Sequence, residues 1–270
     1  MLGFASLNPT YKTARANYRE GKSVSKVVIQ FLGSGDAFGS GGRGQTCIHV
    51  VAGDYQFLID CGASALASMK RWGVSPASID SILITHLHGD HFGGIPFFIL
   101  EAQLVSKRTR PLVIAGPPGL EDRIHKAMEV SFPGSSRTRQ KFSITYIELA
   151  ERMVKPIGPL MVNAYPMVHA SGAPAYALRV AVAGRLIVYS GDTEWTDTLA
   201  QAAWDADLFI CEAYFFDKKV KNHLDYATLA AHRPEIACQR LILTHMSDDM
   251  LARLPGLDVE AAEDGTRIVL

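Results

Sequence analysis

Four apolar, β-forming runs in this chain each end on a histidine or an aspartate. "SILIT" runs into His86, "LMVNAYPMV" into His169, "RLIVYSG" into Asp192 and "RLILT" into His245. Runs of this kind read as buried strands, and the point where a buried strand leaves its sheet is where α/β proteins build their sites. A single histidine in such a place is usually hydrogen-bonded and inert; four coincidences point to one shared cleft. The densest of them, "ILITHLHGDHFGG" (82–94), packs His86, His88, Asp90 and His91 into six positions.

From Val27 onward, short β-rich runs alternate with helix-length stretches. "KVVIQFLG", "TCIHVVA" and "YQFLID" read as strands, followed by a helix over 63–72, the strand "SILIT", a helix over 92–105 and the strand "PLVIAG". A helix near 120–130 precedes a second series of strands: "KFSITYIEL", "GPLMVNAYPMVH", "AYALRVAV", "RLIVYSGD", "DLFICEAY", "RLILTHM" and "TRIVL". Helices near 196–203 and 226–231 separate the later ones. No low-complexity linker interrupts the series, so residues 27–270 are expected to form one domain of two sheets with outer helices. An internal echo, "SILITHLHGD" against "RLILTHMSDD", suggests two halves that each bring a histidine to the cleft.

Composition narrows the function classes. Lys+Arg and Asp+Glu are 27 each, so no net field draws in a polyanion. Cys47, Cys61, Cys211 and Cys238 are scattered through apolar runs without CxxC spacing, which reads as reduced, buried thiols. No apolar run reaches the roughly 18 residues of a membrane span, and the first residues lack the apolar core of a signal peptide. A cytoplasmic enzyme is the expectation. Residues 1–26 carry five basic side chains against Glu20 and are expected to be a solvated, mobile basic arm.

His86 and His88 are two apart in extended chain, so both imidazoles point one way. Asp90 and His91 follow Gly89, expected to permit a bend that turns them toward a neighbouring point. Imidazole and carboxylate donors without thiolates suit Zn²⁺, Mn²⁺ or Fe²⁺ rather than a cysteine-rich structural zinc. The cluster is therefore expected to hold two adjacent cations, bridged by an acid such as Asp192.

The pattern His86-x-His88-x-Asp90-His91, followed by His169, Asp192 and His245, resembles the metallo-β-lactamase superfamily, and the likeness runs from "FLGSGDAF" to "EDGTRIVL". What the resemblance implies is an α/β fold, the αβ/βα four-layer sandwich of two mixed sheets flanked by helices. It further implies that His86, His88 and His169 hold one metal, that Asp90, His91 and His245 hold the other, and that Asp192 bridges. Asp60 would steady the ligand loop. Two dications about 3.5–4 Å apart make water a nucleophile near neutral pH, so hydrolysis is expected.

Within the superfamily the chain is most similar to the ribonuclease Z and phosphodiesterase branch. That branch carries His-Glu-Ala-Thr where this chain has Cys211-Glu212-Ala213-Tyr214, and a later His-Ser where it has His223-Leu224. A Glu212–His223 pair would survive as an acid for the leaving alkoxide, which makes Glu212, His223 and Asp90 the candidate catalytic residues. Ribonuclease Z enzymes insert a long basic arm between the third histidine and the bridging aspartate; here residues 170–191 leave only 22 positions. With zero net charge, this favours a small or short phosphodiester over transfer RNA as substrate. Two basic stretches, "SKRTR" and "SSRTRQK", read as solvated faces. The alternatives are a carbonyl hydrolase (lactonase, thioesterase or β-lactamase), a tRNA 3′-processing endonuclease and, last, a scaffold without activity. A homodimer is expected by analogy with the branch.

Overall fold

The computed structural model describes residues 26–270, so the expected basic arm over 1–26 lies outside the described residues except for Lys26. A seven-stranded sheet has the order β13-β1-β2-β3-β4-β5-β6, and a six-stranded sheet the order β12-β11-β10-β9-β8-β7. The first is built from β1 (Val27–Gly33), β2 (Cys47–Ala52), β3 (Tyr55–Ile59), β4 (Ser81–Leu83), β5 (Leu112–Gly116), β6 (Ile144–Glu148) and β13 (Arg267–Val269). The second comprises β7 (Val154–Ile157), β8 (Leu160–Met167), β9 (Ala175–Val182), β10 (Arg185–Tyr189), β11 (Leu208–Glu212) and β12 (Leu241–Thr244). Both sheets are mixed: β3 to β6 run parallel, as do β10 to β12, and the remaining pairs are antiparallel.

The sheets pack face to face on an apolar layer that includes Val27, Ile29, Phe31, Phe57, Leu178, Val180 and Ile210. Such strands are apolar on both faces because helices cover the outside. Over the first sheet lie α1 (Ala65–Arg71), α2 (Gly89–Phe92), α3 (Ile95–Leu104) and α4 (Leu120–Ser131), whose Met69, Ile99 and Ile124 enter a second apolar cluster. Over the second sheet lie α5 (Asp197–Ala203), α6 (Tyr226–Ala231) and α7 (Asp248–Arg253), which bury Leu199, Leu229 and Met250 in a third. The four-layer sandwich is thus present. No helix among the described residues is long and apolar enough to cross a membrane.

The differences from the sequence reading are local. The helix expected over 92–105 is α3, which starts only at Ile95, and a separate unexpected turn, α2, covers Gly89–Phe92 on the other side of Gly93–Gly94. A Cβ at Gly94 would lie 2.2 Å from the Gly62 carbonyl, so glycine is needed for the two segments to touch. Strand β4 stops at Leu83 rather than Thr85, because Thr85 turns its backbone N–H to Asp60 Oδ1 (2.8 Å). The bend expected at Gly89 is made by the helical turn of α2 instead; Gly89 has no left-handed φ and open space around its Cα. Two elements escaped the pattern. Strand β7 contains Pro156, which an edge strand tolerates, and α7 is six residues long, too short to display a period.

Candidate metal centre

Strand direction explains why distant residues meet. Strands β8 and β10 are each antiparallel to β9, and β10, β11 and β12 are parallel, so all four end at one edge of the second sheet. His169, Asp192, Glu212 and His245 lie at or just beyond those ends. In the first sheet β3 and β4 are parallel, which places Asp60 and His86 at their common end. The tight β9–β10 connection, Ala183-Gly184 with φ of 49° and 77°, makes a two-residue hairpin and leaves no arm between His169 and Asp192.

The seven candidate ligands converge. Donor atoms of His86, His88 and His169 lie within 4.8 Å of one another, as do those of Asp90, His91, Asp192 and His245. His88 Nδ1 and His169 Nε2 are 2.9 Å apart. Asp90 Oδ2 stands 3.2 Å from His91 Nε2 and 3.3 Å from His245 Nε2. Asp192 faces both groups: Oδ1 is 3.3 Å from His91 Nε2 and 3.5 Å from His245 Nε2, and Oδ2 is 3.7 Å from His86 Nε2 and 3.9 Å from His169 Nε2.

The surrounding hydrogen bonds decide which ring nitrogen faces inward. Asp60, fully buried, accepts from Thr85 Oγ1 (2.8 Å) and from His91 Nδ1 (2.6 Å). The Thr85 hydroxyl proton is thereby committed, so its oxygen accepts from His86 Nδ1 at 3.1 Å. His169 Nδ1 meets the Asn222 carbonyl at 2.7 Å, and a carbonyl can only accept. In all three rings Nδ1 faces an outer acceptor and Nε2 is the nitrogen turned to the centre, the arrangement that outer partners impose on metal-binding histidines. His86 Nε2, His91 Nε2 and Asp192 Oδ1 are buried and make no hydrogen bond among the described residues. Leaving three buried polar atoms unbonded would be costly. Bound divalent cations would satisfy all three, so the donor set fits them.

Charge at the centre is finely divided. Burial alone would raise the Asp192 carboxyl, but His245, His91 and His86 hold it well below its ordinary range. Burial alone would lower the His91 imidazole, yet Asp192, Asp90 and Asp60 push it well up; His245 is raised to about 9 against its own burial, chiefly by Asp192. His86 is pushed down by burial and by neighbouring His91. The carboxylates at the core are thus balanced by the raised His91 and His245 imidazoles, and bound dications would supply the same positive charge in their place.

Glu212 and His223 also meet here. His223 Nδ1 is 3.0 Å from Glu212 Oε2 and 3.9 Å from Asp192 Oδ2. Glu212 is fully buried; its Oε1 accepts from the Thr193 backbone, and its own N–H donates to Ser190 Oγ (3.0 Å). Burial would lower His223, but the bond to and charge of Glu212 keep it above its ordinary value. Tyr214 lies over this pair, its ring centroid 4.6 Å from that of His223. Sequence reasoning misses Thr85 and Asn222, and marks Tyr214 only as a departure from the branch's tetrapeptide. The repeated Thr-His of the internal echo was the one available signal for Thr85; Thr244, its counterpart, instead donates to the Ser34 carbonyl.

Known proteins share this arrangement of strands. Ribonuclease Z of Bradyrhizobium diazoefficiens is 28% identical over 270 aligned residues, covering 82% of this chain and 89% of that one. Ribonuclease Z of Methanosarcina acetivorans is 27% identical, covering 81% and 87%. The human short-form tRNase Z structure matches with a TM-score of 0.72 and 27% identity over 89% of this chain and 98% of that one. The Bacillus subtilis metallo-β-lactamase fold protein YhfI matches with a TM-score of 0.73 at 20% identity, over 91% and 100%, which shows a common fold. These likenesses place the chain in the metallo-β-lactamase fold, in its ribonuclease Z and phosphodiesterase branch. Residues 27–258, a span holding every candidate ligand together with Glu212 and His223, match the family described as "Anti-Pycsar protein Apyc1", and the chain belongs to that family.

Proposed function

We propose that this metal-dependent hydrolase cleaves a phosphodiester of modest size, using two divalent cations held by His86, His88, His169, Asp90, His91, His245 and the shared Asp192. The observation that carries the reading is Asp192, whose two oxygens face two separate groups of imidazole and carboxylate donors. Donors of this kind suit Zn²⁺ first, with Mn²⁺ or Fe²⁺ as substitutes. When bound, such a pair lowers the pKa of water and neutralises charge that grows on phosphate oxygens.

The chain's own groups supply the remainder. Asp60 and Thr85 hold the His86 and His91 rings in the ligating tautomer. Glu212 holds His223 by Nδ1, so that Nε2 is the nitrogen left to deliver a proton to the departing alkoxide. His223 has 22% of its side chain exposed, enough to meet a substrate, while Glu212 behind it has none. Asp90 acts as a ligand in this reading, since both its near neighbours are candidate ligand imidazoles.

Substrate size is inferred from charge and from the hairpin. Zero net charge offers little phosphate-neutralising field for a long nucleic acid. The β9–β10 hairpin occupies the interval in which an arm would stand. The reading extends to a homodimer, by analogy with the branch, and, from the sequence, to a cytoplasmic location and a single folded unit over 27–270.

The deciding experiment is a panel of phosphodiester, lactone, thioester and β-lactam substrates with metal-loaded protein. Hydrolysis of bis(p-nitrophenyl) phosphate with about two metals per chain is expected; turnover of carbonyl substrates alone would overturn the assignment. Asp192→Ala should abolish turnover with an unchanged circular dichroism spectrum. His223→Gln should slow esters with poor leaving groups at least tenfold more than those with good ones. Equal losses would remove His223 from the acid role.

A further inference from the structure

Asn222 joins three segments that each carry a candidate functional residue. Its carbonyl accepts from His169 Nδ1 (2.7 Å), its side-chain Oδ1 accepts from the Ala170 backbone (3.3 Å), and its own N–H donates to Glu194 Oε1 (2.9 Å). His223 follows it directly. Glu194 stands two residues beyond Asp192, and its backbone N–H donates to the carbonyl of Val168, the residue before His169 (3.1 Å). Three hydrogen bonds therefore close a ring through Glu194, Asn222 and the His169 segment. Asn222 sits at φ 71°, a left-handed conformation that asparagine adopts more readily than most residues.

We propose that Glu194 and Asn222 are positioning residues for His169, fixing both the rotation and the tautomer of its imidazole. This rests on the two-cation reading above. A carbonyl cannot donate, so His169 Nδ1 must hold the proton while Asn222 stays in place, and Nε2 then faces His88 and Asp192 with its lone pair. Asn222 in turn stays in place because Glu194 takes its N–H. Remove the Glu194 acceptor and the 222 carbonyl is free to turn, the ring can rotate, and the proton can settle on either nitrogen. Only the cation held by His86, His88 and His169 should feel this, since the Asp90–His91–His245 group has its own outer partner in Asp60. Outer partners of this kind govern metal affinity by about 10–100-fold.

The test titrates Zn²⁺ into metal-free parent, Glu194→Ala, Glu194→Gln, Asn222→Gly and Asn222→Val against a chromophoric chelator, with thermal melting of each metal-free protein. Parent is expected to take up two ions. Glu194→Ala should weaken one of them by about 10–100-fold and leave the other unchanged. Glu194→Gln should match parent, because an amide oxygen accepts the same N–H. Asn222→Gly keeps the carbonyl and the φ and should bind both ions, whereas Asn222→Val resists that φ and should weaken the same single ion. ¹⁵N spectra of metal-free protein should show a single His169 tautomer in parent and in Glu194→Gln, and a mixture in Glu194→Ala. Parent that takes up no ion overturns the two-cation reading and this proposal with it. Parent that takes up two, with Glu194→Ala indistinguishable from it or with Glu194→Gln failing equally, overturns this proposal alone. Should Glu194→Ala not fold, the Asn222→Gly and Asn222→Val pair decides, and equal affinities in those two overturn it.

Discussion

Asp60 shows how one buried side chain governs two others. Three donors converge on its two oxygens: the Thr85 backbone, the Thr85 hydroxyl and His91 Nδ1. Its backbone is at φ 58°, which asparagine also accepts, so Asp60→Asn changes the chemistry without straining the chain. An amide has one accepting oxygen and must turn its NH₂ toward a donor. Metal affinity on the His91 side should fall by about 10–100-fold in a chelator competition. Folding stability should fall by about 1–3 kcal/mol in a urea titration. At this scale the family resemblance pointed to Asp60 in "LIDCG", whereas nothing pointed to Asn222, because an asparagine in "KKVKNH" looks like any surface loop residue.

At the scale of elements, the ligand turn α2 is pressed against the end of β3. Cys61 N donates to the His91 carbonyl (2.6 Å), Gly94 N donates to the Cys61 carbonyl (2.8 Å), and a Cβ at Gly62 would stand 2.3 Å from the Asp90 carbonyl. Gly62→Ala must therefore push α2 away and carry Asp90 and His91 with it. We expect a loss of about 1–3 kcal/mol in stability, seen as a lower melting temperature together with reduced metal content. Gly89→Ala is the contrast, since nothing lies within 4 Å of that Cβ and the residue is helical. It should be neutral or stabilise by about 0.4–1 kcal/mol. Gly89 sits beside the candidate ligands in sequence and Gly62 does not, yet contacts across the fold make Gly62 the one that cannot change. The same holds for the break between α2 and α3: periodicity runs through Gly93–Gly94, and the tertiary contact to Cys61 and Gly62 interrupts it.

Across the whole molecule, two sheets present their strand ends to one another, and the buried carboxylates Asp60, Asp90, Asp192 and Glu212 gather where they meet. Each cation that binds only the folded form stabilises it by about 2.7 kcal/mol at a hundredfold excess over Kd, so a pair contributes about 5 kcal/mol. For a chain of this size that is about 10–20 °C, so chelation of both should lower the melting temperature by that amount and re-addition of Zn²⁺ should restore it. An unchanged melting curve after verified metal removal would contradict the linkage. The sequence by itself determined the strand and helix alternation and the four candidate ligands at strand ends, because burial and turn chemistry are written in local side-chain type and period. It also marked the crowded His-x-His-x-Asp-His turn, where spacing alone brings donors together. The family resemblance led one to expect an Asp192 bridge and a Glu212–His223 pair; only the tertiary structure decided which atoms meet, with Asp192 Oδ1 and Oδ2 facing different groups and Glu212 Oε2 on His223 Nδ1, and that the Glu194–Asn222 circuit closes on His169. Those contacts join residues far apart in the chain, and their geometry depends on strand direction and on the register of one sheet over the other, which no local pattern encodes.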